Sequence, residues 1–320
     1  MSGMGFGGAG GLAVVLLHGL ALAALLSAFG SLLFFAFLMS PVLTRVGPAE
    51  QAAPLRSCSA VSRGSLILAI LLELVWLAAE SGVIAGNSSL SGIAAALPVV
   101  VRDTLFGHLV AAQILALVAA ILAFGPGARA SIAFWLTGLA TALEAWHLHG
   151  AAMQAGVSPF LLTELFHVLA AGAWLGGLLP LALFVRIAPP EACAVIARRF
   201  SEFATPCVML LAITAFLQGR VLIGSIAALV GTIYGAFALV KLSLFVALIG
   251  FAARHRWRLA PALSRAEPWV AREVLARSIV KEAILGLSIV LVAAMISSLA
   301  PPADMAMFMN HAASASTSSD

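Results

Sequence analysis

The sequence predicts an all-α, polytopic membrane helix bundle. Of its 320 residues, 62% are hydrophobic and only 9% are charged, and the mean hydropathy is +1.11. An ordinary soluble domain carries about 25% charged residues, so this composition is typical of an integral membrane protein. Several apolar runs reach the length of about 20 residues that a helix needs to cross the hydrocarbon layer. The polar and apolar residues do not alternate as in membrane β-strands, which argues against a β-barrel.

The apolar runs, bounded by Pro, Gly or Arg, predict about eight transmembrane helices. In chain order they are expected at about 12 to 39, 65 to 86, 104 to 124, 131 to 153, 160 to 184, 204 to 223, 230 to 251 and 280 to 299. Residues 1–302 are predicted to form a single transmembrane domain, with four helices in 1–156 and four in 157–302. A disordered tail is predicted over residues 303–320.

Basic residues predict the orientation, because Lys and Arg accumulate in cytoplasmic loops. The connections after the first, third, fifth and seventh helices hold most of them: Arg45, Arg56, Arg63, Arg129, Arg186, Arg198, Arg199, Arg254, Arg256, Arg258, Arg265, Arg272 and Arg277. The other connections hold only Arg102 and Arg220. Both termini are therefore predicted to be periplasmic. This asymmetry accounts for the net charge of +4, so the lipid bilayer is the expected surrounding and no nucleic-acid partner is predicted.

Most of the histidines are predicted to share the outer leaflet. With the orientation above, a set of ionisable residues lies near the outer ends of the helices: His18, Glu80, His108, His147, His149, Glu164 and His167. Ionisable side chains in hydrocarbon are costly, so they usually face the bundle interior and pair, bind a ligand or line a water path. One such histidine alone is better explained by a backbone hydrogen bond. The whole set favours a site. His255 is expected in the basic cytoplasmic loop.

Two Glu-x-x-His pairs strengthen this prediction. Glu144 with His147, and Glu164 with His167, each place both side chains on one helix face. The same spacing forms dinuclear metal sites in soluble four-helix bundles when two further glutamates are supplied, here by Glu80 and Glu73. Alternatively, each glutamate accepts the spare N–H of its histidine and fixes the tautomer that binds metal.

The carboxyl-terminal tail carries a second possible set of ligands. Met305, Met307 and Met309 alternate, and His311 follows them. An extended chain would project the three thioethers to one side. Thioether and imidazole ligands select copper, especially Cu(I), over harder ions. An interfacial apolar stub before a disordered tail explains the same residues equally well.

Two further features concern helix packing. Trp174, Gly176 and Gly177 are predicted to allow close helix contact. Lys241 falls near the middle of the seventh predicted helix, where it needs a carboxylate partner, and Glu73 at similar depth is the candidate.

Four stretches together resemble the copper resistance protein D (CopD) family of bacterial inner-membrane proteins. They are HVLAAGAWLGG from His167, ARRFSEFA at 197–204, GTIYGAFALVKLSLFVALIGFAARHRWRLAPAL at 231–263, and RSIVKEAILGLSIVLVAAMISSLAPP at 277–302. Their order and spacing match across about 160 to 302, and the amino-terminal half is compatible with the family's eight-helix plan. The resemblance implies copper handling at the inner membrane together with a small periplasmic CopC-type copper-binding protein, usually as copper uptake. No P-loop or other ATPase motif is present.

Three functions remain as alternatives at the level of sequence. The first is copper uptake or delivery from the periplasm through an outer His/Glu site, with or without supply from the Met tail, with copper as Cu(I) or Cu(II). The second is a redox protein whose histidines ligate haem b or a dinuclear metal centre. The third is a non-transporting assembly factor for a copper enzyme. An enzymatic activity is not predicted, and the oligomeric state is left open.

Overall fold

A computed structural model describes residues 9–147, 157–259 and 268–303, and every regular element within these ranges is helical. In chain order the α-helices are α1 Ala9–Leu33, α2 Ser40–Leu43, α3 Pro48–Ile84, α4 Leu90–Asp103, α5 Leu105–Ala123, α6 Ala128–Leu143, α7 Val157–Ile187, α8 Pro190–Leu222, α9 Ile226–Gly231, α10 Ile233–Arg254 and α11 Pro268–Ser297. A π-helical segment, Phe34–Met39, joins α1 to α2. A 3-10 turn, Glu144–Trp146, follows α6, and a π-helical segment, His255–Leu259, follows α10.

The prediction of an all-α membrane bundle is confirmed. Among the described residues, seven helices are long and apolar enough to cross a membrane: Gly11–Leu43, Pro48–Ile84, Leu105–Ala123, Pro159–Ile187, Pro190–Leu222, Ile233–Leu259 and Trp269–Ser297. The fourth predicted helix differs from the expectation of 131 to 153, because α6 ends at Leu143 after 16 residues. Helix α6 and the 3-10 turn that follows it are together about 30 Å long, enough to span the hydrocarbon layer.

Several helices extend well beyond the predicted apolar runs. α3 begins at Pro48 rather than near 65, α8 at Pro190 rather than near 204, and α11 at Pro268 rather than near 280. Hydropathy detects only the part of a helix that lies in hydrocarbon, whereas these first turns are polar. A proline is tolerated in the first turn of a helix because its missing N–H has no intrahelical partner there.

Helix α1 lies at the centre of the bundle and packs against α3, α6, α7 and α11. Its closest approach to α7 occurs at glycines. A Cβ at Gly30 would overlap the backbone of α7 at Gly172, Gly176 and Gly177, and a Cβ at Gly176 would overlap the carbonyl of Leu26. The close packing predicted for Gly176 and Gly177 is therefore confirmed, because only glycines let the two backbones approach this closely.

The helices alternate in direction, which defines two ends of the bundle. Phe160 near the start of α7, Leu222 at the end of α8 and Tyr234 at the start of α10 pack into one buried cluster. We call the end of the bundle that contains this cluster the outer end, since it is periplasmic on the predicted topology. The opposite end is the inner end. The 3-10 turn after α6 packs against α7.

Two helix junctions are built in the same way. At the α4–α5 junction the hydroxyl of Thr104 accepts from the N–H of Gly107 and donates to the carbonyl of Val100. At the α9–α10 junction Thr232 accepts from Gly235 and donates to Ala228. A threonine N-cap followed three residues later by glycine therefore starts a long helix after a short one in each half of the chain.

Candidate metal site

Glu144 is the centre of a polar cluster at the end of α6. Its Oε1 lies 3.1 Å from His18 Nε2, and its Oε2 lies 3.3 Å from His147 Nδ1. The buried amide of Gln113 donates to Oε2 at 3.1 Å and to the carbonyl of Ala140 at 3.2 Å. Three separate parts of the chain thus converge on one carboxylate, which has two imidazoles as neighbours.

Aromatic rings hold the two imidazoles in place. The ring of His18 stacks on Trp76, with centroids 4.2 Å apart and planes 11° apart. Trp76 and Phe106 also contact His147, at 5.5 and 6.0 Å between centroids. The side chains of His18, Glu144 and His147 are 16%, 9% and 14% exposed. The cluster is therefore largely shielded, so its polar groups depend on one another or on a bound ion.

His147 is the least satisfied member of this cluster. Both of its ring nitrogens are buried and neither has a hydrogen-bond partner among the described residues. Nδ1 is within ion-pair distance of Glu144, but the two groups are not aligned for a hydrogen bond. A buried imidazole whose ring nitrogens make no aligned hydrogen bond carries a desolvation cost that a metal ion bound at the ring would offset.

Two more carboxylates surround the cluster. Glu80 interacts electrostatically with His18, and Glu73, which is 1% exposed, interacts with Glu144. One oxygen of Glu73 has no hydrogen-bond partner in the described structure. Two further carboxyl groups, Glu73 and Glu80, therefore lie close to the Glu144 cluster.

A second polar layer joins α7, α8 and α10. Nδ1 of His167 lies 2.8 Å from the hydroxyl of Thr214, which itself donates to the carbonyl of Leu210 at 2.7 Å. Because the hydroxyl has a single proton, the imidazole is the donor in this pair, and the lone pair of the neutral ring is on Nε2. The partner of His167 Nδ1 is thus Thr214 rather than Glu164.

Lys241 interacts with a different glutamate from the one predicted. It interacts electrostatically with Glu164 on α7, and the predicted pairing with Glu73 is wrong. The reason is the lateral order of the helices. Glu73 lies on α3, which packs against α1, α4, α5 and α7, whereas α10 packs mainly against α11.

The other predicted ligands do not join these two layers. His108 is exposed at the start of α5, where its Nε2 contacts the carbonyl of Arg102 at 2.9 Å. His149 and the tail residues Met305, Met307, Met309 and His311 lie outside the described residues. Among the residues that are described, no group of three or more His, Cys, Asp or Glu side chains is already arranged to hold a metal ion.

Sequence reasoning missed two residues of the Glu144 cluster and misplaced one histidine elsewhere. Gln113 and Trp76 were not singled out, although a lone amide in an apolar helix is a recognisable signal for Gln113. His255 was predicted to lie in a cytoplasmic loop, and this is wrong. It lies in the π-helical extension of α10 and contacts Glu282 of α11.

These features define a class: an all-helical, multi-pass membrane protein with a buried histidine and glutamate cluster at the outer end of its bundle. Comparison with known proteins makes the class specific. The family model described as "Copper resistance protein D-like, N-terminal domain" matches residues 9–160, and the model described as "Copper resistance protein D" matches residues 194–296. The chain belongs to the copper resistance protein D family.

A curated relative agrees with this membership. "Copper resistance protein D" of Pseudomonas syringae pv. tomato is 28% identical over 257 residues, which cover 76% of this chain and 80% of the relative. No solved structure gives a significant match. The family consists of copper resistance membrane proteins and is not a known family of enzymes, so the chain is a copper-related multi-pass membrane protein.

Proposed function

We propose that this protein, in the bacterial inner membrane, mediates the uptake of copper from the periplasm or its delivery to another protein. The ion first binds at the Glu144 cluster. The observation that carries the proposal is His147. Its two ring nitrogens are buried and make no aligned hydrogen bond to the described residues, and they lie next to a carboxylate that also contacts His18. Membership of the copper resistance protein D family indicates that the metal is copper. The contacts among His18, Glu144 and His147 support these side chains as its ligands.

The chemistry of the cluster suits a copper ion. Imidazole nitrogens are good ligands for copper, and a carboxylate adds a negative charge that offsets the charge of the cation. In the described arrangement the carboxylate of Glu144 lies against His18 Nε2 and His147 Nδ1, so these atoms face one another. Copper binding would displace the proton shared by His18 and Glu144 and would use the ring nitrogens of His147 that make no aligned hydrogen bond to the described residues.

The second layer offers a continuation toward the membrane interior. Glu164 interacts electrostatically with Glu144 and with Lys241, and it precedes His167 by one helical turn. The hydrogen bond that His167 Nδ1 donates to Thr214 leaves the lone pair of the ring on Nε2, the form that a metal requires. We propose that His167 and Glu164 receive the ion from the Glu144 cluster.

The supply of copper is proposed to involve groups on the periplasmic side. The family resemblance supports a small CopC-type copper-binding protein as the donor. The thioethers of Met305, Met307 and Met309, with His311 and His149, would offer soft ligands for Cu(I) at the same surface.

Copper stoichiometry of the purified protein tests the first site. His147→Ala is expected to lose one equivalent of bound copper, measured by elemental analysis after removal of free ions. His108→Ala is the matched control, because His108 is an exposed histidine on the same side whose contact is a backbone carbonyl. Equal copper content in both variants and in the unmodified protein would remove the Glu144 cluster from the proposal.

Copper flux separates transport from binding. Protein reconstituted into sealed vesicles is expected to accumulate copper, and His147→Ala is expected to abolish most of that accumulation. Binding that depends on His147 without any accumulation would reduce the proposal to delivery or assembly.

A further inference from the structure

A cavity with a few polar side chains lies at the inner end of the bundle, opposite the Glu144 cluster. Its volume is about 440 Å³, and α7, α8, α10 and α11 contribute to its lining. Most of the lining is apolar, but Ser201, Thr205, His255 and Glu282 contribute polar atoms. The helices on its two sides, α8 and α10, pack against α7 and α11 respectively and scarcely touch each other. The cavity fills the gap between them.

Glu282 lines this cavity, and only one of its two carboxylate oxygens has a partner among the described residues. Its side chain is 2% exposed, and Oε2 lies 3.1 Å from Nδ1 of His255. Oε1 is buried and has no hydrogen-bond partner in the described structure. His255 is fixed from its other side, because Nε2 lies 2.7 Å from the hydroxyl of Ser278. A buried carboxylate oxygen without a partner is costly unless it binds a proton, a water or a cation.

The charges around the cavity favour a cation over an anion. Among the described residues that line the cavity, Glu282 is the acidic one, and Arg256, which also lines it, directs one guanidinium nitrogen to the hydroxyl of Thr205 at 3.0 Å. Arg256 is exposed, so solvent screens its charge. The carboxylate of Glu282 is therefore the least compensated charge in the cavity.

An aromatic pair separates this cavity from the polar layer above it. Trp174, which lines the cavity, lies seven residues after His167 on α7, about 10 Å along the helix axis. Its ring contacts that of Phe245 on α10, with centroids 6.3 Å apart and planes 80° apart. Phe245 follows Lys241 by one turn. The polar groups of the outer and inner layers are thus divided by two packed rings.

We propose that Glu282 and His255 form a second copper site at the inner end, in which the free carboxylate oxygen and the imidazole ring ligate the ion and cavity hydroxyls or water complete the coordination. The ion would displace the hydroxyl of Ser278 from His255 Nε2 or the carboxylate from Nδ1. This proposal rests on the proposed copper function, and it adds the exit-side site that the outer histidines do not supply.

Copper binding to four full-length variants tests the inner site. Glu282→Gln and His255→Asn are each expected to lose one equivalent of copper relative to the unmodified protein. The matched control is Glu273→Gln, also on α11, whose carboxylate is exposed and pairs with Arg277. A double variant, His147→Ala with Glu282→Gln, is expected to lose both equivalents. Thermal unfolding in detergent checks that each variant is folded.

The two proposals fail in different ways. Loss of copper in Glu282→Gln with no loss in His147→Ala keeps the inner site and rejects the outer one. Loss in His147→Ala alone keeps the outer site and overturns the inner one. If Glu282→Gln does not fold, the decision falls to His255→Asn, which keeps the carboxylate: unchanged copper content in that variant overturns the inner site.

Discussion

His18 on α1 and Glu144 after α6 are 126 positions apart in the chain, and their side chains meet at 3.1 Å between Nε2 and Oε1. The same carboxylate accepts a hydrogen bond from Gln113 on α5. One side chain therefore ties the central helix to two peripheral ones. Its removal leaves buried donors without an acceptor, so its contribution to stability is measurable independently of copper.

Glu144→Ala is expected to lower the free energy of unfolding by about 1–3 kcal/mol, because Gln113 and His18 would then be buried without their acceptor. Glu144→Gln is expected to cost less, since the amide oxygen still accepts one of these bonds. Thermal unfolding of metal-free protein in detergent measures both. Glu50→Ala, at an exposed position in the first turn of α3, serves as the control. A Glu144→Ala variant as stable as this control would contradict the network.

Thr214→Val tests whether the hydroxyl positions the ring of His167. The change keeps the shape of the side chain but removes the acceptor of Nδ1, so the ring is free to rotate and to change tautomer. The initial rate of copper uptake into vesicles is expected to fall about 10- to 100-fold, as is typical when a metal-binding histidine loses the residue that hydrogen-bonds its other ring nitrogen. Thr214→Ser is expected to restore the rate.

The control for this prediction is Thr163→Val. Its hydroxyl only donates to the carbonyl of Phe160, within its own helix, so it fixes no histidine. Equal rates in Thr163→Val and Thr214→Val would mean that the hydroxyl of Thr214 contributes nothing specific to His167.

Gly176→Ala is expected to be strongly destabilising. The added Cβ would overlap the carbonyl oxygen of Leu26 on α1, and backbone atoms cannot move aside as a flexible side chain can. A loss of about 1–3 kcal/mol or more is expected from such overpacking. Gly64→Ala on α3 is the matched control, because its Cβ would meet nothing within 4 Å and alanine favours the helix. Similar unfolding temperatures for the two variants would contradict the close α1–α7 crossing.

The sequence alone grouped several polar residues at one end of the bundle but did not identify their lateral partners. Hydropathy and the distribution of arginine placed His18, Glu144 and His147 at one end of their helices, and the structure brings them into contact. Depth does not determine which helices are neighbours. For this reason Lys241 was assigned to Glu73 on α3, although its helix lies on the side of the bundle near Glu164.

The inner cavity was not predictable for a related reason. The arginines around His255 are typical of a cytoplasmic loop, and this pattern concealed the helical continuation of α10. The contact between His255 and Glu282 depends on how α10 packs against α11. A hydropathy pattern gives the approximate depth of a residue and contains no information about which helices pack together.

A double-mutant cycle measures the interaction between Lys241 and Glu164. The two side chains interact inside the bundle, so replacing either one alone leaves a charge without its partner, which is strongly unfavourable in hydrocarbon. Lys241→Met and Glu164→Gln are each expected to lower the unfolding temperature more than the double variant does. The coupling free energy is expected to be about 0.5–3 kcal/mol. The parallel cycle of Lys241→Met with Glu73→Gln is expected to be additive, because Glu73 interacts with Glu144 instead. Coupling of Lys241 to Glu73 rather than to Glu164 would contradict this assignment and would support the pairing predicted from the sequence.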